Sequence, residues 1–368
     1  MRKTVHGIIA VTAALTLGLT ACADDTDESA KPAASGSETK AAAGGKPKVG
    51  VILPDSKSSA RWETADRKFL KDALEKAGVE PLIENANGDK AAFATIADQM
   101  MTKGAKVLLM VNLDSGSGKA VQDKAKAQNV KTIDYDRLTL GGSADFYVSF
   151  DNEAVGRLKG EGLLKCLNDK GVKEGNIVYL NGSPTDNNAT LFKAGYDSVL
   201  SKATQYKKVD DQSVPEWDNA KAGTIFEQMY TKAGGKIDGV LAANDGLGNA
   251  TISILKKNKA NGIPVTGQDA TVEGLQNILN GDQCMTVYKA IKKEADAAAD
   301  LAAKLAKGEP ATADKKVKDG AREVASVLLE PQAIYKDNIK DVVADAFVTV
   351  ADLCKGEFAA KCAEAAIK

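Results

Sequence analysis

Short apolar runs alternate along the chain with stretches of helical periodicity. In the first helical stretch the stripe is formed by Phe69, Leu70, Ala73, Leu74 and Ala77, and Gly78 ends it. The strand-like runs form two series, one at 48–53, 107–111 and 130–133, the other at 177–180, 237–242 and 264–266. Repeated strand and helix units predict an α/β fold with parallel, doubly wound sheets, and two series predict two lobes.

Three further strand-like segments lie where the chain would pass between the lobes. They are 147–151, between the two series, and 284–288 and 324–329 near the end. These crossovers would make both lobes discontinuous in sequence. We expect lobe I over 47–150 plus 286–326, and lobe II over 151–285 plus 327–368, including a C-terminal tail.

The N-terminus has the pattern of an export signal. Arg2 and Lys3 precede an apolar stretch at 8–19, which is too short to span a bilayer, and small residues lead to Cys22. The sequence Leu19-Thr20-Ala21-Cys22 resembles the bacterial lipobox, which implies a signal over 1–22, cleavage before Cys22 and acylation of its thiol. The alternative is an ordinary signal with an incidental cysteine.

Residues 23–46 contain almost no large apolar side chains, so they predict a disordered tether with a mean reach of about 25–30 Å. The expected location is therefore extracytoplasmic, with the protein lipid-anchored at the outer face of the bacterial cytoplasmic membrane.

Composition excludes several classes of function. The 368 residues carry a net charge of −1, which offers no electrostatic footprint for nucleic acid. The single histidine, His6, lies in the expected signal, so Ser-His-Asp catalysis, Cys-His catalysis and histidine metal sites are excluded from the mature chain. No cofactor and no metal are expected.

Four cysteines remain after lipidation of Cys22, in a compartment where disulfides persist, and they allow three connectivities. A local bridge between Cys354 and Cys362 is the first expectation. A continuous helix would separate the two by about 12 Å, so this pairing requires a break, for which Gly356 is suited.

Polar side chains follow the predicted strands at their carboxyl ends, where parallel sheets bind ligands. They form one predicted rim: Arg61 and Trp62, Asp136 and Arg137, Asp186 and Asn188, Asn244, and Asp269. Several of these residues have a simpler explanation. Asp186, Asn188 and Asp269 could cap helices, and Asp136 with Arg137 could form a surface ion pair.

The chemistry of this rim suits a sugar. Planar Asp, Asn and Arg groups can bridge neighbouring hydroxyls, and an indole can cover the C–H face of a pyranose. Trp62 and Trp217 are the only tryptophans. Either could instead be a partly buried core residue, although charged neighbours make that explanation less suitable.

Six motifs in order resemble the xylose-binding proteins of bacterial ABC transporters. They are Ala60-Arg61-Trp62, Tyr135-Asp136-Arg137, Ser149-Phe150-Asp151-Asn152, Gly182-Ser183-Pro184-Thr185-Asp186-Asn187-Asn188, Gly267-Gln268-Asp269-Ala270 and Met285-Thr286-Val287-Tyr288-Lys289. The resemblance covers about 48–342. It implies the type I periplasmic-binding-protein fold, in which two lobes joined by a three-strand hinge close on the sugar.

The same resemblance implies a monomer that delivers its ligand to an ABC permease. It implies that Trp62 and Trp217 sandwich the sugar ring, while hydrogen bonds come from Arg61, Asp136, Arg137, Asp186, Asn188, Asn244, Asp269 and Lys289. Lys289 could also be an ordinary surface lysine of the hinge.

Two features leave the ligand and the class open. The segment 57–62 is closer to multiple-sugar and glucose-binding proteins than to xylose binders, so the sugar is either xylose or one of several monosaccharides. A glycosidase would also need carboxylates in a sugar cleft. The abundance of Arg and Asn favours holding the sugar in its ground state. A LacI-type regulator would share the fold but would need an N-terminal helix-turn-helix in place of the export signal.

Overall fold

The computed structural model describes residues 45–368, so the expected signal, Cys22 and nearly all of the expected tether lie outside the described residues. The strands are β1 (Lys48–Leu53), β2 (Glu80–Asn85), β3 (Ala105–Met110), β4 (Lys131–Tyr135), β5 (Phe146–Phe150), β6 (Gly175–Asn181), β7 (Tyr206–Ser213), β8 (Gly239–Ala242), β9 (Thr286–Tyr288), β10 (Lys315–Lys318), β11 (Glu323–Leu329) and β12 (Gln332–Ile334).

Through most of the chain these strands alternate with helices. The helices are α1 (Arg67–Lys76), α2 (Lys90–Thr102), α3 (Ser115–Ala127), α4 (Asn152–Asp169), α5 (Asn187–Leu200), α6 (Asn219–Lys232), α7 (Asp245–Lys257), α8 (Val272–Asn280), α9 (Ile291–Lys307), α10 (Ile339–Ala344), α11 (Val350–Leu353) and α12 (Phe358–Glu364). None of the helices in 45–368 has the length and apolar character that a membrane span requires.

Lobe I is built on a seven-stranded sheet with the order β10-β11-β5-β4-β3-β1-β2, in which only β10 is antiparallel to its neighbour. Helices cover both faces, and β1 shows why. Val49, Val51 and Leu53 pack with α1 and α9, whereas Ile52 packs with α2 and α3. A strand buried on both faces has a continuous apolar sequence, which is the pattern of β1.

Lobe II is built on the parallel strands β7-β6-β8. Residues 264–266, expected as a full strand, form a single parallel bridge between Val240 and Val265. Pro264 has no N–H to donate, which limits pairing at this point. Backbone hydrogen bonds from Cys284 to Val265 and from Val287 to Gly267 connect this segment to β9, which pairs antiparallel with β12.

The chain passes between the two sheets three times: from β5 to α4, from β9 to α9 and from β11 to β12. The second and third crossings lie later in the chain than the expected lobe boundaries at 286 and 327. β9 pairs with β12 beside the lobe II sheet, and β11 pairs with β5 in lobe I as far as Leu329. An apolar strand pattern is compatible with either sheet, so only the pairing partner of a strand determines the lobe to which it belongs. Lobe I denotes residues 45–150 plus 291–329, and lobe II denotes 151–290 plus 330–368.

Two disulfides are present in the described chain. Cys354 and Cys362 are joined with their Cα atoms 5.8 Å apart, across the break between α11 and α12 where Gly356 has a φ of 62°. Cys166 of α4 is joined to Cys284, which precedes β9, with a Cα separation of 6.3 Å. Apolar side chains of the C-terminal helices form a small core with those of α8.

Candidate ligand-binding site

All ten side chains expected to bind the ligand line one cavity between the lobes. The cavity contains about 310 Å³ of space, part of it open to solvent. Each of the ten is at most 7% exposed. Four further residues complete the lining: Ser58, Ser59, Phe192 and Gln268. The strand ends predicted to meet at one rim therefore do meet, because the carboxyl ends of both parallel sheets face each other across the cleft.

Arg61 is the most fully engaged cation of the site. Its Nε and Nη2 donate to the two carboxylate oxygens of Asp66, each at 2.9 Å, and its Nη1 donates to Asp136 Oδ2 at 2.9 Å. Nη2 also donates to Glu294 Oε2 on α9 at 3.1 Å. Most donors of Arg61 are thus used within the protein, and the side chain holds Asp136 in place.

Asp136 is the point where the charges of both lobes converge. Its backbone φ is 63°, a left-handed conformation that is uncommon outside glycine and often marks a functional position. Burial alone would raise the pKa of Asp136, but Lys289, Arg61 and Arg137 together lower this pKa to about 2. The carboxylate is therefore ionised at neutral pH and can accept hydrogen bonds from sugar hydroxyls.

The pKa of Glu294 is shifted upward, in the opposite direction to the pKa of Asp136. Glu294 is fully buried, and both its burial and the negative charge of Asp136 raise the pKa of its carboxyl well above the usual value. The charge of Arg61 is balanced by its ion pairs with Asp66 and Asp136. Glu294 follows two lysines in the sequence Ile-Lys-Lys-Glu of α9, a pattern typical of a solvent-exposed charge. The local sequence therefore does not indicate that Glu294 contacts the site.

Trp62 lies in a π-helical turn, Trp62–Asp66, that precedes α1. Its indole is 2% exposed and donates from Nε1 to Ser58 Oγ at 2.9 Å. The guanidinium carbons of Arg61 and Arg137 lie 4.3 and 5.5 Å from the ring centroid, within the range of cation–π contacts. Trp62 is thus both a buried residue and a wall of the cavity.

Trp217 forms a wall of the same cavity from lobe II. Its φ is 57° and that of Glu216 is 60°, so two successive side chains are held in the left-handed region. The indole donates from Nε1 to Asp186 Oδ2 at 3.1 Å. A Cβ at Gly182 would lie 2.0 Å from the nearest ring atom, so only glycine leaves room for this indole.

The polar residues that begin α5 serve the helix and the site together. Asp186 caps the helix by accepting from the Asn188 N–H at 2.9 Å, and its other oxygen lies 3.1 Å from Arg137 Nε of lobe I. Asn188 Nδ2 donates across the cleft to the Asp136 carbonyl at 2.9 Å. Arg137 therefore faces Asp186 inside the cleft, and the alternative of a surface pair with Asp136 does not hold.

Asn244 shows the same double use of a strand end, whereas Asp269 caps no helix, because the cap of α8 is Thr271. Asn244 caps α7 through its Oδ1 and donates from Nδ2 to the Ser58 carbonyl of lobe I at 3.2 Å. Asp269, with a φ of 94°, accepts from Ser59 Oγ at 3.2 Å. Lys289 Nζ lies 3.3 Å from Asp269 and 3.6 Å from Asp136, so it joins carboxylates of both lobes and is 4% exposed.

Sequence reasoning did not assign a ligand contact to any of these four additional lining residues. Ser58 and Ser59 belong to the segment that follows β1, and Gln268 precedes Asp269, so all three could have been predicted from the rule on strand ends. Phe192 was interpreted as part of the apolar stripe of α5. It does pack there, with its ring centroid 6.4 Å from that of Trp217, but it also reaches the cavity.

The arrangement can hold a small polyol. Carboxylates, amides and cations lie between two indoles in a largely buried cavity, which suits vicinal hydroxyls and a pyranose face. Residues 45–368 contain no cluster of three or more Asp, Glu, Cys or His residues placed to bind a metal ion.

Comparisons with known proteins agree with this fold and site. Residues 49–310 match the family model described as periplasmic binding protein domain. The chain is 36% identical over 307 residues to the D-xylose-binding periplasmic protein of Haemophilus influenzae, covering 82% of this chain and 90% of that protein. It is 33% identical over 322 residues to the multiple sugar-binding periplasmic protein SbpA of Azospirillum brasilense, covering 82% and 89%.

A solved structure is also similar. The ABC transporter solute binding protein of Clostridium phytofermentans, with bound β-D-glucose, superposes with a TM-score of 0.76 at 27% identity, covering 83% of this chain and 99% of that one. The relatives are named as binding proteins, which removes the glycosidase alternative. The chain belongs to the periplasmic binding protein domain family, in its type I sugar-binding class, and is a solute-binding protein, not an enzyme.

Proposed function

We propose that this protein is the sugar-binding component of an ABC importer and that it holds D-xylose in the cavity between its lobes. The observation that carries the proposal is the cavity lining: ten side chains that follow several different strands, of both charges and including both tryptophans, converge on one small space. The relative from Haemophilus influenzae, named for D-xylose binding, supports the choice of sugar.

In this proposal the roles of the residues follow from their geometry. Trp62 and Trp217 line the cavity from opposite lobes and cover the two faces of the pyranose ring. Asp136 and Asp269 are charged acceptors for hydroxyl donors, while Arg137 and Lys289 donate to sugar oxygens. Because Arg61 is largely committed to Asp66 and Asp136, its main part is to position Asp136.

Titration calorimetry of residues 23–368 with D-xylose tests the proposal. A dissociation constant near or below micromolar is expected, which corresponds to about −8 kcal/mol. If a panel of pentoses and hexoses produces no heat at millimolar concentration, the protein does not bind free monosaccharides and the proposal fails.

A second candidate is a receptor for several monosaccharides, with glucose, arabinose and galactose beside xylose. The relative named for multiple sugar binding and the glucose-bound neighbour favour it. The same calorimetric panel separates the two candidates. Specific xylose binding requires glucose to bind at least about tenfold more weakly, a difference of about 1.4 kcal/mol.

We further propose that Cys22 carries a lipid anchor, that the protein acts as a monomer and that it delivers sugar to ABC permease subunits outside the cytoplasm. The N-terminal sequence pattern supports the anchor, and the family supports the location and the permease. A Cys22→Ser variant should be released from washed membranes and still bind sugar. Retention of that variant in the membrane fraction would contradict lipid anchoring at Cys22.

A further inference from the structure

A second, larger chamber adjoins the cavity at the mouth of the cleft. It contains about 910 Å³ of space, part of it open to solvent, against about 310 Å³ for the inner cavity. Both lobes contribute to it. Lobe I supplies Lys90 and Leu113, and lobe II supplies Thr185, Glu216 and Asp218. None of these five lines the inner cavity, so the two spaces have separate walls for most of their extent.

The chambers meet at four residues that line both of them: Ser58, Arg137, Asp186 and Trp217. Trp217 thus contributes to the inner wall and to the outer chamber with one indole. The remaining boundary is the approach of Arg137 Nε to Asp186 Oδ2 across the cleft, at 3.1 Å.

Arg137 has an unused donor at this boundary. Arg137 is only 7% exposed. Its Nε makes no hydrogen bond with any residue in 45–368, because the N–H does not point at the nearby Asp186 oxygen. Its Nη1 and Nη2 make only long bonds, to the Asn112 carbonyl at 3.2 Å and to Ser58 Oγ at 3.4 Å. A buried donor without a partner costs free energy unless a ligand oxygen accepts from it.

The lining of the outer chamber indicates the chemical class of its occupant. Its charges are mixed and nearly balanced, with carboxylates at Asp55, Asp186, Glu216 and Asp218 and cations at Lys57, Lys90 and Arg137. Such a lining disfavours an occupant with a net charge of either sign and suits a neutral group with many hydroxyls.

We propose that the outer chamber is a second sugar subsite, so that the protein also binds neutral disaccharides. One ring occupies the inner cavity and the second occupies the outer chamber. The glycosidic link requires Arg137 and Asp186 to separate at this boundary, and its oxygen then accepts from Arg137 Nε in place of the approach to Asp186. The inference rests on the proposed function, because it requires the first ring to bind as xylose does.

The test compares xylose with xylobiose and, as a hexose pair, glucose with cellobiose, by titration calorimetry on residues 23–368. Xylobiose is expected to bind within about tenfold of xylose, since the second ring gains contacts without losing those of the first. Native mass spectrometry of the complex distinguishes the intact disaccharide from contaminating xylose.

Two variants fill the outer chamber from opposite lobes, Lys90→Trp and Thr185→Trp. Both positions are exposed and neither lines the inner cavity. Each should weaken xylobiose binding by about tenfold or more and change xylose binding by less than about twofold. The matched controls are Lys90→Gln and Thr185→Ser, which leave the chamber open and should bind both sugars as the unmodified protein does.

The outcomes separate the subsite from the proposed function. Xylose binding without xylobiose binding overturns the subsite and leaves the proposed function standing. Xylobiose binding that neither tryptophan variant weakens also overturns the subsite, because the second ring then lies elsewhere. Failure of every sugar to bind overturns both proposals. Only selective loss of xylobiose in the two filled variants supports the subsite.

Discussion

Position 182 is glycine because the indole of Trp217 leaves no room for a side chain there. The indole of Trp217 lies against the backbone of Gly182 so closely that a Cβ would be 2.0, 2.2 and 2.5 Å from three of its ring atoms. These are backbone-to-ring contacts in a packed wall, so neither side can yield without moving the indole.

Gly182→Ala should therefore displace Trp217 and weaken D-xylose binding, and it should lower the free energy of unfolding by about 1–3 kcal/mol, the usual cost of overpacking. Calorimetry measures the effect. The matched control is Gly223→Ala, at a position in α6 with no atom within 4 Å of the added Cβ. That control should bind normally, and normal binding by Gly182→Ala as well would contradict the role given to this contact.

Lys159 is a fully buried cation that connects several segments of the site without lining the cavity. Its Nζ donates to the Ala243 carbonyl at 2.8 Å and to Gln268 Oε1 at 3.2 Å. It also lies 4.2 Å from the centroid of the Phe192 ring. Burial lowers the pKa of Lys159 to about 7, partly offset by the carboxylates of Asp269 and Asp245.

This depressed pKa predicts a pH-dependent stability. A lysine in an unfolded chain titrates near pH 10.4, so between about pH 7 and 10 the unfolded chain binds more protons than the folded one. The contribution of Lys159 to the free energy of unfolding should therefore increase with pH across that window and stay constant below about pH 7.

The difference in unfolding free energy between the unmodified protein and Lys159→Met isolates this contribution. Urea denaturation at pH 6, 7, 8 and 9 measures this difference. It should be constant from pH 6 to 7, and above pH 7 the unmodified protein should gain stability relative to Lys159→Met. Lys165→Met, at an exposed position of the same helix, is the control and should show no such trend. A pH-independent difference for Lys159→Met would exclude the depressed pKa.

Helix α4 is the element that connects the hinge to the site. It begins at Asn152, directly after β5 leaves lobe I, and it carries both Lys159 and Cys166. The disulfide from Cys166 to Cys284 links α4 to the segment leading into β9, which is the second route through the hinge. Two of the three crossings are thus covalently connected within lobe II.

The two disulfides should differ in how much they stabilise the fold. Their cysteines are separated by 118 and 8 residues, and the loss of chain entropy predicts about 5 kcal/mol for Cys166–Cys284 and about 2.5 kcal/mol for Cys354–Cys362. Urea denaturation of the two double-alanine variants under non-reducing conditions shows which disulfide contributes more to the free energy of unfolding. A larger loss for the Cys354/Cys362 pair would show that local packing of the C-terminal tail outweighs loop length.

At the scale of the whole molecule, the site exists only when the lobes are together. Contacts cross the cleft from Asn188 to Asp136 and from Asn244 to Ser58, and Lys289 approaches carboxylates on both sides. A sugar in the cavity would add further bonds to both lobes, so it binds the closed arrangement better than an open one and shifts the population toward closure.

Small-angle scattering should therefore give a smaller radius of gyration for residues 23–368 at saturating D-xylose than without sugar. The control is Asp136→Ala at the same xylose concentration, because it removes the carboxylate where the charges of both lobes meet. An unchanged radius, with calorimetry confirming occupancy, would mean that one lobe binds the sugar alone and that the two-lobe clamp is incorrect.

Local sequence was enough for the parts of the protein that depend on local chemistry. Buried parallel strands such as β1 have apolar sequences, and polar groups at their ends mark the cleft, so eight of the ten side chains expected to bind ligand could be placed on one rim. The other two, Trp217 and Lys289, were expected from the family resemblance. The same reasoning missed β2 and β7. Both are edge strands with many charged or polar residues, and such strands have no continuous apolar run.

Tertiary structure alone decided which distant segments became neighbours. The lobe to which β9 and β11 belong depends on pairing partners, because an apolar strand pattern suits either sheet. The partner of Cys166 is 118 residues away, and Glu294 meets Arg61 over 233 residues. The outer chamber also arises only from the approach of the two lobes. A sequence pattern indicates the surroundings that one residue requires. The packing of the folded chain, within each lobe and between the two lobes, determines which residue provides them.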